Sequence, residues 1–345
     1  MKIQENIALA GYTTLGIGGP ARWFAEARSE DEILHAITFA GEKNVPLFVL
    51  GGGSNLLVAD AGFSGVVLHV ANRGRQIHAE GDSVTFRVAA GEDWDGFVAA
   101  TIAEDCAGVE CLSGIPGTVG GTPVQNVGAY GQEVATTIVR VRALDRRSLQ
   151  WVEMENAACQ FAYRSSLFNS TARGRYVVSE VTYRLARNGA PSVGYKDLAQ
   201  QFANEKKTPS LASVREAVLE IRRKKGMLLV AGDADCRSAG SFFKNPVIGQ
   251  AQFSLLEAKW TGIPHFAAPE DRVKIPAAWL IEKAGFEKGF ALGAVGISSR
   301  HTLALINKGD AKARDMLALR DKIRQRVTEV FGIVLEQEPV YLSGE

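Results

Sequence analysis

Cysteine and histidine are scarce in this chain of 345 residues, which has four cysteines and five histidines. No two cysteines form a C-x-x-C pair, and no histidine stands near one at the spacing of metal ligands. We therefore predict no metal site. Unpaired cysteines behave as small apolar side chains, so we expect buried free thiols at Cys106, Cys111, Cys159 and Cys236.

Excess charge and long apolar runs are also missing. The formal net charge is +1, so no global electrostatic footprint favours nucleic acid or an anionic membrane as partner. The N-terminal "MKIQENIALAGYTTLG" lacks the apolar core of a signal peptide, and no run has the length that spans a bilayer. We expect a monomeric, cytoplasmic protein that binds neither nucleic acid nor membrane.

What is present indicates a folded chain with more than one core. Apolar residues make up 46% and charged residues 22%, an ordinary balance for a globular protein. A single hydrophobic core rarely serves 345 residues, so two or three domains are predicted.

Helix signals are clear at three places. A capping box from Ser29 to Glu32 predicts a helix that ends by Asn44, before the short strand "PLFVL". The stretch "DWDGFVAATIAEDCAG" has helical spacing. A second capping box, Ser213 to Glu216, predicts another helix.

The remaining elements follow from periodicity and glycine stops. A last long helix is predicted from a cap at Asp310 to Gly332, followed by a final strand "IVLEQEPVYL". From about residue 65, short β-rich runs such as "SVTFRVAAG" and "RYVVSEVTYRL" predict a strand-rich, antiparallel middle.

Two glycine loops carry the first functional signal. "LGGGSNLL" at 50–57 follows a strand but is neither G-x-G-x-x-G nor a P-loop, so alone it fits a plain tight turn as well as a phosphate site. The glycine-dense segment 113–133 is too long for an ordinary loop in a compact domain. Because bare backbone can aim N–H donors at phosphate, two such loops indicate a diphosphate-containing cofactor.

Seven motifs, in this order along nearly the whole chain, resemble the UDP-N-acetylenolpyruvoylglucosamine reductase family. They are "TLGIGGPA", "LGGGSNLL", "SGIPGTVGGTPVQNVGAYG", "FAYRSSLF", "AGSFFKNP", "GISSRHTLALIN" and "VLEQEPV". The resemblance implies an α+β protein with an FAD-binding fold of the vanillyl-alcohol-oxidase (PCMH) type and a small α+β substrate-binding domain. It implies hydride transfer from NADPH through FAD to the enolpyruvyl ether of a UDP-sugar, which yields the peptidoglycan precursor UDP-N-acetylmuramate.

The same resemblance implies domain limits and cofactor contacts. FAD-binding subdomains would cover 1–70, joined by a returning C-terminal strand at about 328–345, and 71–230; the substrate-binding domain would cover 231–327. FAD would be held by Gly51, Gly52, Gly53, Ser54, Asn55, Leu56, Gly117, Gly120, Gly121, Asn126, Gly128 and Ala129.

Three residues would carry the reduction by resemblance: Arg164, Ser241 and Glu338. Hydride addition to the enolpyruvyl group leaves negative charge beside its carboxylate, and a guanidinium such as that of Arg164 offers a planar, always charged donor. Glu338 would help in its protonated form, and Ser241 would donate the final proton. Considered singly, each would be an ordinary surface or packed residue, and the seven motifs together reverse that reading.

Two points about this group stay open in the sequence. Glu336 would share a strand face with Glu338, so spacing does not tell the two acids apart, and the family pattern favours Glu338. A serine hydroxyl is a poor acid, and Lys244 is a candidate to assist Ser241.

Substrate contacts are implied at Tyr130, Tyr195, Lys225 and Asn245. The run 222–225 fits diphosphate binding and, equally well, the ordinary preference for cations at a helix C-terminus. Val340 stands where some family members have an arginine that helps the substrate.

Two other functions fit the glycine loops. One is another FAD oxidoreductase of the same fold, which would have no reason to keep Arg164, Ser241 and Glu338 together. The other is a flavin- or nucleotide-binding protein without catalysis.

Overall fold

The computed structural model describes residues 1–204 and 207–344, and these form two compact units. The first unit comprises Met1–Ile7, Ala21–Gly53 and the described part of 64–224. The second comprises Ala8–Pro20, Ser54–Phe63 and the described residues from Lys225 onwards. The three-part division expected from the sequence stays a prediction.

The described residues contain seven α-helices and twenty-one short or medium strands. The helices are α1 (Glu30–Glu42), α2 (Trp94–Ala103), α3 (Lys196–Gln201), α4 (Leu211–Lys224), α5 (Gln250–Glu257), α6 (Ala277–Lys283) and α7 (Ala313–Phe331). The strands are β1 (Ile3–Ala8), β2 (Pro20–Ala27), β3 (Leu47–Leu50), β4 (Leu56–Val58), β5 (Phe63–Val70), β6 (Arg75–Glu80), β7 (Ser83–Ala89), β8 (Cys106–Ala107), β9 (Gly128–Ala129), β10 (Gln132–Glu133), β11 (Ile138–Asp145), β12 (Gln150–Glu155), β13 (Tyr176–Arg187), β14 (Ser238–Ser241), β15 (Val247–Gly249), β16 (Phe266–Ala268), β17 (Arg272–Lys274), β18 (Ala291–Leu292), β19 (Val295–Ile297), β20 (Ala304–Asn307) and β21 (Val340–Leu342).

The first unit is built on two sheets. One has the strand order β1-β2-β5-β3, and the other is antiparallel in the order β12-β11-β13-β7-β6, with β8 paired to β13. On β7, Val84, Phe86 and Val88 are buried at alternate positions, because successive side chains of a strand point to opposite faces. The predicted antiparallel middle is confirmed.

Helix α1 forms as its capping box predicts. The Ser29 hydroxyl accepts a hydrogen bond from the Glu32 backbone N–H at 3.2 Å, and Ile33 and Ile37 are buried. The helix ends at Glu42, slightly before the predicted limit. The strand predicted in "PLFVL" is β3, and the helix predicted after "DW" is α2, which Asp93 caps through the Gly96 N–H.

Two predicted helix starts were wrong. Helix α4 begins at Leu211, and the Ser210 hydroxyl accepts from the Ser213 N–H at 3.0 Å, so the cap lies three residues before the predicted one. Helix α7 begins at Ala313 rather than at Asp310. The Asp60 carboxylate accepts from the Ala313 N–H at 2.7 Å, a cap supplied by a distant segment that local sequence does not show.

The second unit is organised around the α7 helix and short sheets. Its sheets have the orders β14-β20-β19-β18 and β15-β17-β16, and β21 pairs in parallel with β4. Leu319 and Ile323 of α7 are buried in one cluster with Phe242 and Leu305. The predicted stop at Gly332 is confirmed by its left-handed φ of 66°, but the predicted final strand is limited to Val340–Leu342.

Candidate functional site

The two glycine loops pack backbone against backbone in the first unit. A Cβ added to Gly52 would lie 2.6 Å from the Gly117 Cα, and one added to Gly51 would lie 2.7 Å from the Thr118 Oγ1. Gly53 and Gly117 have φ values of 61° and 128°, which side chains rarely tolerate. The loops therefore require glycine and present bare backbone.

The second glycine loop is fixed to the segment 90–94. The Gly120 N–H donates to the Ala90 carbonyl at 2.8 Å, and the Trp94 N–H donates to the Gly117 carbonyl at 3.1 Å. A Cβ on Gly120 would lie 2.5 Å from the Ala90 Cβ, whereas one on Gly121 would meet nothing within 4 Å. This rigid cradle of small residues fits a cofactor that is bound through main-chain groups, as FAD is through its diphosphate.

The side chain of Asn126, a predicted FAD contact, forms its hydrogen bonds within the protein. Its Nδ2 donates to Glu133 Oε2 at 2.8 Å and to the Ala162 carbonyl at 3.1 Å, and its Oδ1 accepts from the Ala135 N–H at 3.1 Å. The residue is only 1% exposed. The Asn126 side chain thus ties the loop to the turn before Arg164, and its predicted contact with FAD stays a prediction.

Arg164 is anchored on the hairpin formed by β9 and β10. Its Nη1 donates to the Gly128 carbonyl at 2.9 Å, and its own backbone is left-handed with a φ of 54°. A Cβ on Gly128 would lie 2.7 Å from the Glu133 Cγ, so the hairpin also needs glycine there. Left-handed backbone at a non-glycine residue is costly, and it fixes the direction in which the guanidinium leaves the chain.

Two predicted substrate residues meet in the first unit. The rings of Tyr130 and Tyr195 lie 5.5 Å apart at 90°, an edge-to-face contact. Tyr130 has a φ of 49°, and Tyr195, which directly precedes α3, is 44% exposed. An exposed tyrosine held by another ring is suited to contact a ligand.

Sequence reasoning missed an ion pair that contacts the start of the second glycine loop. Arg215 donates to both carboxylate oxygens of Asp95 at 2.6 and 2.8 Å, and the Gly114 N–H donates to Asp95 at 2.6 Å. Burial alone would raise the pKa of Asp95, but the bonds from Arg215 and Gly114 outweigh it and lower that pKa. The available signal was an acid in the first turn of α2.

The cationic run at 222–225 is largely engaged within the protein. Arg222 Nε donates to the Gly114 carbonyl at 3.1 Å, and burial lowers the pKa of Arg222 against the opposing effect of Tyr130. Arg223 and Lys224 pair with Glu220. Lys225 belongs to the second unit, and its contact with the substrate diphosphate stays a prediction.

The structure brings Ser241 and Glu338 onto neighbouring segments of the second unit. The Glu338 N–H donates to the Phe242 carbonyl at 2.9 Å, and the Lys244 N–H donates to the Glu336 carbonyl at 2.9 Å. Phe242 is fully buried, whereas Ser241 is half-buried at the end of β14. The Ser241 hydroxyl makes no hydrogen bond to any residue that the structure describes.

Glu336, the competing acid, forms an exposed ion pair, and the preference for Glu338 as the catalytic acid stays a prediction from the family pattern. Lys244 Nζ lies 2.5 Å from Glu336 Oε1, and the Glu336 side chain is 71% exposed. The same contact directs Lys244 to Glu336, which weakens its predicted assistance to Ser241.

Asn55 connects the end of the first glycine loop to the chain around Glu338. The Val340 N–H donates to the Asn55 carbonyl at 3.0 Å, and Asn55 Nδ2 lies 3.4 Å from the Glu338 carbonyl. These bonds continue the parallel pairing of β21 with β4, in which Val340 lies opposite Leu56. Within the second unit, a predicted cofactor residue thus supports the backbone of a predicted catalytic residue.

The last predicted substrate residues also lie in the second unit. Asn245 Oδ1 accepts from the Ala277 N–H at 2.9 Å and so supports the start of α6.

His301 lies near Lys225. Burial, followed by the positive charges of Lys225 and Lys288, lowers the pKa of His301 to about 4. The imidazole beside Lys225 is therefore neutral at physiological pH.

The four cysteines are buried and free, as predicted. Burial, with a smaller effect of the Glu110 charge, raises the pKa of Cys111 to about 12, and burial raises that of Cys159 to about 11. In residues 1–204 and 207–344, no three His, Cys, Asp or Glu side chains are grouped so as to hold a metal ion. No helix in that part of the chain has the length and apolarity needed to cross a membrane.

Comparison with known proteins shows the family to which the chain belongs. Residues 21–149 match the family model described as "FAD binding domain", and residues 232–342 match "UDP-N-acetylenolpyruvoylglucosamine reductase, C-terminal domain". The chain is 46% identical to the UDP-N-acetylenolpyruvoylglucosamine reductase of Thermobifida fusca, over 98% of both chains. It is 45% identical to that of Streptomyces coelicolor, over 98% of this chain and 90% of the relative.

A solved structure confirms the expected fold class. The UDP-N-acetylenolpyruvylglucosamine reductase of Thermus caldophilus superimposes with a TM-score of 0.68 over 99% of both chains, at 24% identity. The fold is therefore the α+β, FAD-binding arrangement that the motifs indicate. Together with the two full-length relatives, the matches show that the chain carries an FAD-binding domain and belongs to the UDP-N-acetylenolpyruvoylglucosamine reductase family.

Proposed function

We propose that this protein reduces the enolpyruvyl ether of UDP-N-acetylglucosamine to UDP-N-acetylmuramate, with NADPH as reductant and FAD as hydride carrier. The observation that carries the proposal is the backbone pairing that sets Glu338 beside Phe242, next to Ser241, in a chain of this family. A proton donor and an acid on neighbouring segments suit the protonation of a carbanionic carbon.

Arg164 would bind the substrate carboxylate and the negative charge that develops beside it. When bound, FAD would supply the hydride chemistry, with NADPH as the source of the hydride and the terminal enolpyruvyl carbon as its acceptor. A guanidinium stays charged at all relevant pH values and donates in a planar fork, and the bond from Arg164 to the Gly128 carbonyl fixes its position beforehand. Preorganisation of this kind stabilises the transition state rather than the bound substrate.

Ser241 would donate the proton, and Glu338, in its protonated form, would donate a hydrogen bond to the developing enolate. The Ser241 hydroxyl has no hydrogen-bond partner among the described residues, which leaves it available to the substrate. Phe242 and Phe243, fully buried with their rings 5.5 Å apart, hold the adjoining chain rigid. Lys244 would not assist directly, because it pairs with Glu336.

The remaining contacts complete the proposal. FAD would lie on the loops that carry Gly51–Gly53 and Gly117–Gly121, with the further contacts expected from the sequence at Ser54, Asn55, Leu56, Asn126, Gly128 and Ala129. The UDP-sugar would be met by Tyr130, Tyr195, Lys225 and Asn245. The protein would act as a monomer in the cytoplasm.

An anaerobic half-reaction experiment tests the function. The purified protein is reduced with NADPH, the enolpyruvyl UDP-sugar is added, and the flavin absorbance is followed. We expect bleaching by NADPH and then rapid return of the oxidised spectrum with formation of UDP-N-acetylmuramate. Reoxidation by oxygen but not by this substrate would instead indicate another FAD oxidoreductase, and a flavin that NADPH never bleaches would indicate a binding protein without catalysis.

A further inference from the structure

Glu110 is a buried carboxylate to which the proposed chemistry assigns no role. It is 1% exposed and lies in the apolar stretch "AGVECLSG". Its Oε2 accepts from the Gly108 N–H at 2.7 Å, and its Oε1 accepts from the Ser192 N–H and from Gln132 Nε2, both at 2.8 Å. A buried charge is costly unless its hydrogen bonds are satisfied, and three donors satisfy this one.

Cys111 closes the same network from the next position along the chain. Its N–H donates to Gln132 Oε1 at 2.8 Å, which fixes the orientation of the Gln132 amide, and its thiol donates to the Ser192 carbonyl at 3.1 Å. Ser192 is therefore held at both of its backbone groups, and Gln132 at both ends of its amide. The segment 108–111 thus connects the loop that carries Gln132 with the loop that carries Ser192.

The two loops joined in this way carry the two predicted substrate tyrosines. Gln132 is two residues from Tyr130 on the β9–β10 hairpin, and Ser192 is three residues from Tyr195. The rings of the two tyrosines meet 5.5 Å apart. Oε1 of Glu110 thus accepts one bond from each side of the Tyr130–Tyr195 contact.

The chain before Tyr195 depends on Glu110 for its position more than the β9–β10 hairpin does. The hairpin has its own strand pairing and the bonds of Asn126. Among the described residues, by contrast, the segment 190–194 has two hydrogen bonds, both at Ser192, one to Glu110 and one from Cys111. Loss of the Glu110 carboxylate would therefore free the segment 190–194 before it affects the hairpin.

We propose that Glu110 is a positioning residue that holds the Tyr195 segment, residues 188–195, against the β9–β10 hairpin and thereby sets the affinity for the UDP-sugar. This inference depends on the proposed function for its substrate. Glu110 acts through Tyr195 and touches neither substrate nor cofactor in this scheme.

Glu110→Gln is the most selective substitution. The side chain keeps its size, but its NH₂ group must face either the Gly108 N–H or the donors of Ser192 and Gln132, so one donor always faces another. We expect the KM for the UDP-sugar to rise at least tenfold, while FAD content and the rate of flavin reduction by NADPH stay within twofold of wild type. Glu80→Gln, at an exposed position on β6, is the matched control and should change nothing.

Ser192→Pro keeps the test decisive if Glu110→Gln folds poorly, and a double substitution tests whether Glu110 acts through Tyr195. Ser192→Pro removes the N–H that donates to Glu110, together with the side-chain hydroxyl, and it should raise KM as well. In a Tyr195→Ala background, Glu110→Gln should add less than a twofold further rise, because both act through the same side chain. A KM within twofold of wild type in folded Glu110→Gln, or an undiminished effect in the Tyr195→Ala background, would overturn the proposal.

Hydrogen–deuterium exchange separates this inference from the proposed function. In the protein with bound FAD and no substrate, Glu110→Gln should speed exchange of the Ser192 amide at least tenfold and leave β11 unchanged. Unchanged exchange at Ser192 would refute the positioning role. Failure of the wild-type protein to reduce the UDP-sugar would refute the proposed function while leaving the exchange result valid.

Discussion

The backbone N–H of Glu338 donates to the carbonyl oxygen of Phe242 at 2.9 Å, which sets Glu338 across from the residue that follows Ser241. On the opposite edge of this segment, Ser241 pairs with Ala304 of β20. The backbone of Ser241 thus lies between β20 and the segment that carries Glu338, and only the side-chain hydroxyl of Ser241 can rotate freely.

Ser241→Ala should separate the two half-reactions. Removal of the hydroxyl should leave flavin reduction by NADPH within twofold of wild type and slow substrate reduction by about 10²–10⁴, the usual contribution of a positioned proton donor. Single-turnover kinetics under anaerobic conditions measure both steps. Ser254→Ala, at an exposed position on α5, is the control, and an equal loss in both half-reactions would remove Ser241 from the proton-transfer role.

Glu338 and Glu336 should respond differently to the same substitution. Glu338→Ala removes a donor to the developing charge and should lower the rate of substrate reduction by about 10²–10³. Glu338→Gln should lose less, because an amide can also donate. Glu336→Ala breaks an exposed pair with Lys244 and should stay within about twofold, since surface ion pairs contribute little. Equal losses for the two alanine variants in steady-state assays would contradict the assignment.

Gly52→Ala and Gly121→Ala test the glycine cradle as a matched pair. A methyl group on Gly52 would lie 2.6 Å from the Gly117 Cα, and backbone has to move, which costs about 1–3 kcal/mol. We expect Gly52→Ala to lower the melting temperature and to weaken FAD binding at least tenfold in titrations of the apoprotein. In Gly121→Ala the added methyl group meets no protein atom within 4 Å, so the melting temperature should stay unchanged. Wild-type FAD affinity in Gly52→Ala would argue against this loop as the cofactor site.

Local signals in the sequence predicted local structure well. The capping box at Ser29, the glycine stop at Gly332 and the alternating strands of the first unit depend on neighbours in the chain, and the structure confirms them. The start of α7 was missed because its cap is Asp60, more than two hundred residues earlier. Caps supplied through tertiary contacts leave no mark on the helix sequence itself.

The candidate site divides in the same way. The motifs named Ser241 and Glu338, but spacing did not separate Glu338 from Glu336, and the preference for Glu338 still depends on the family pattern. Glu110 was missed because one acid in an apolar stretch carries no pattern, and its partners Gln132 and Ser192 are brought to it by the fold. Buried polar networks are specified by tertiary structure, so a single sequence reveals them only as an acid in an unexpected place.

His301 should make the folded state sensitive to mildly acidic pH. Its pKa is lowered from 6.5 to about 4 by burial and by the charges of Lys225 and Lys288, so the folded protein disfavours the protonated form. The corresponding stability is fully present above pH 6.5 and is lost as pH falls toward 4. The shift amounts to about 3 kcal/mol in the free energy of unfolding. Denaturant titrations at a series of pH values measure it.

His301→Gln supplies the control for that pH window. A glutamine does not titrate, so the variant should lose much less stability between pH 6.5 and 4 than the wild type. Carboxylates with a lowered pKa, such as Asp95, also lose stability below about pH 5, but they do so equally in the variant and in the wild type. His35→Gln, at an exposed position on α1, should retain the wild-type slope. A His301→Gln protein with that same slope would show that another group titrates there, and the neutral imidazole beside Lys225 would have to be abandoned.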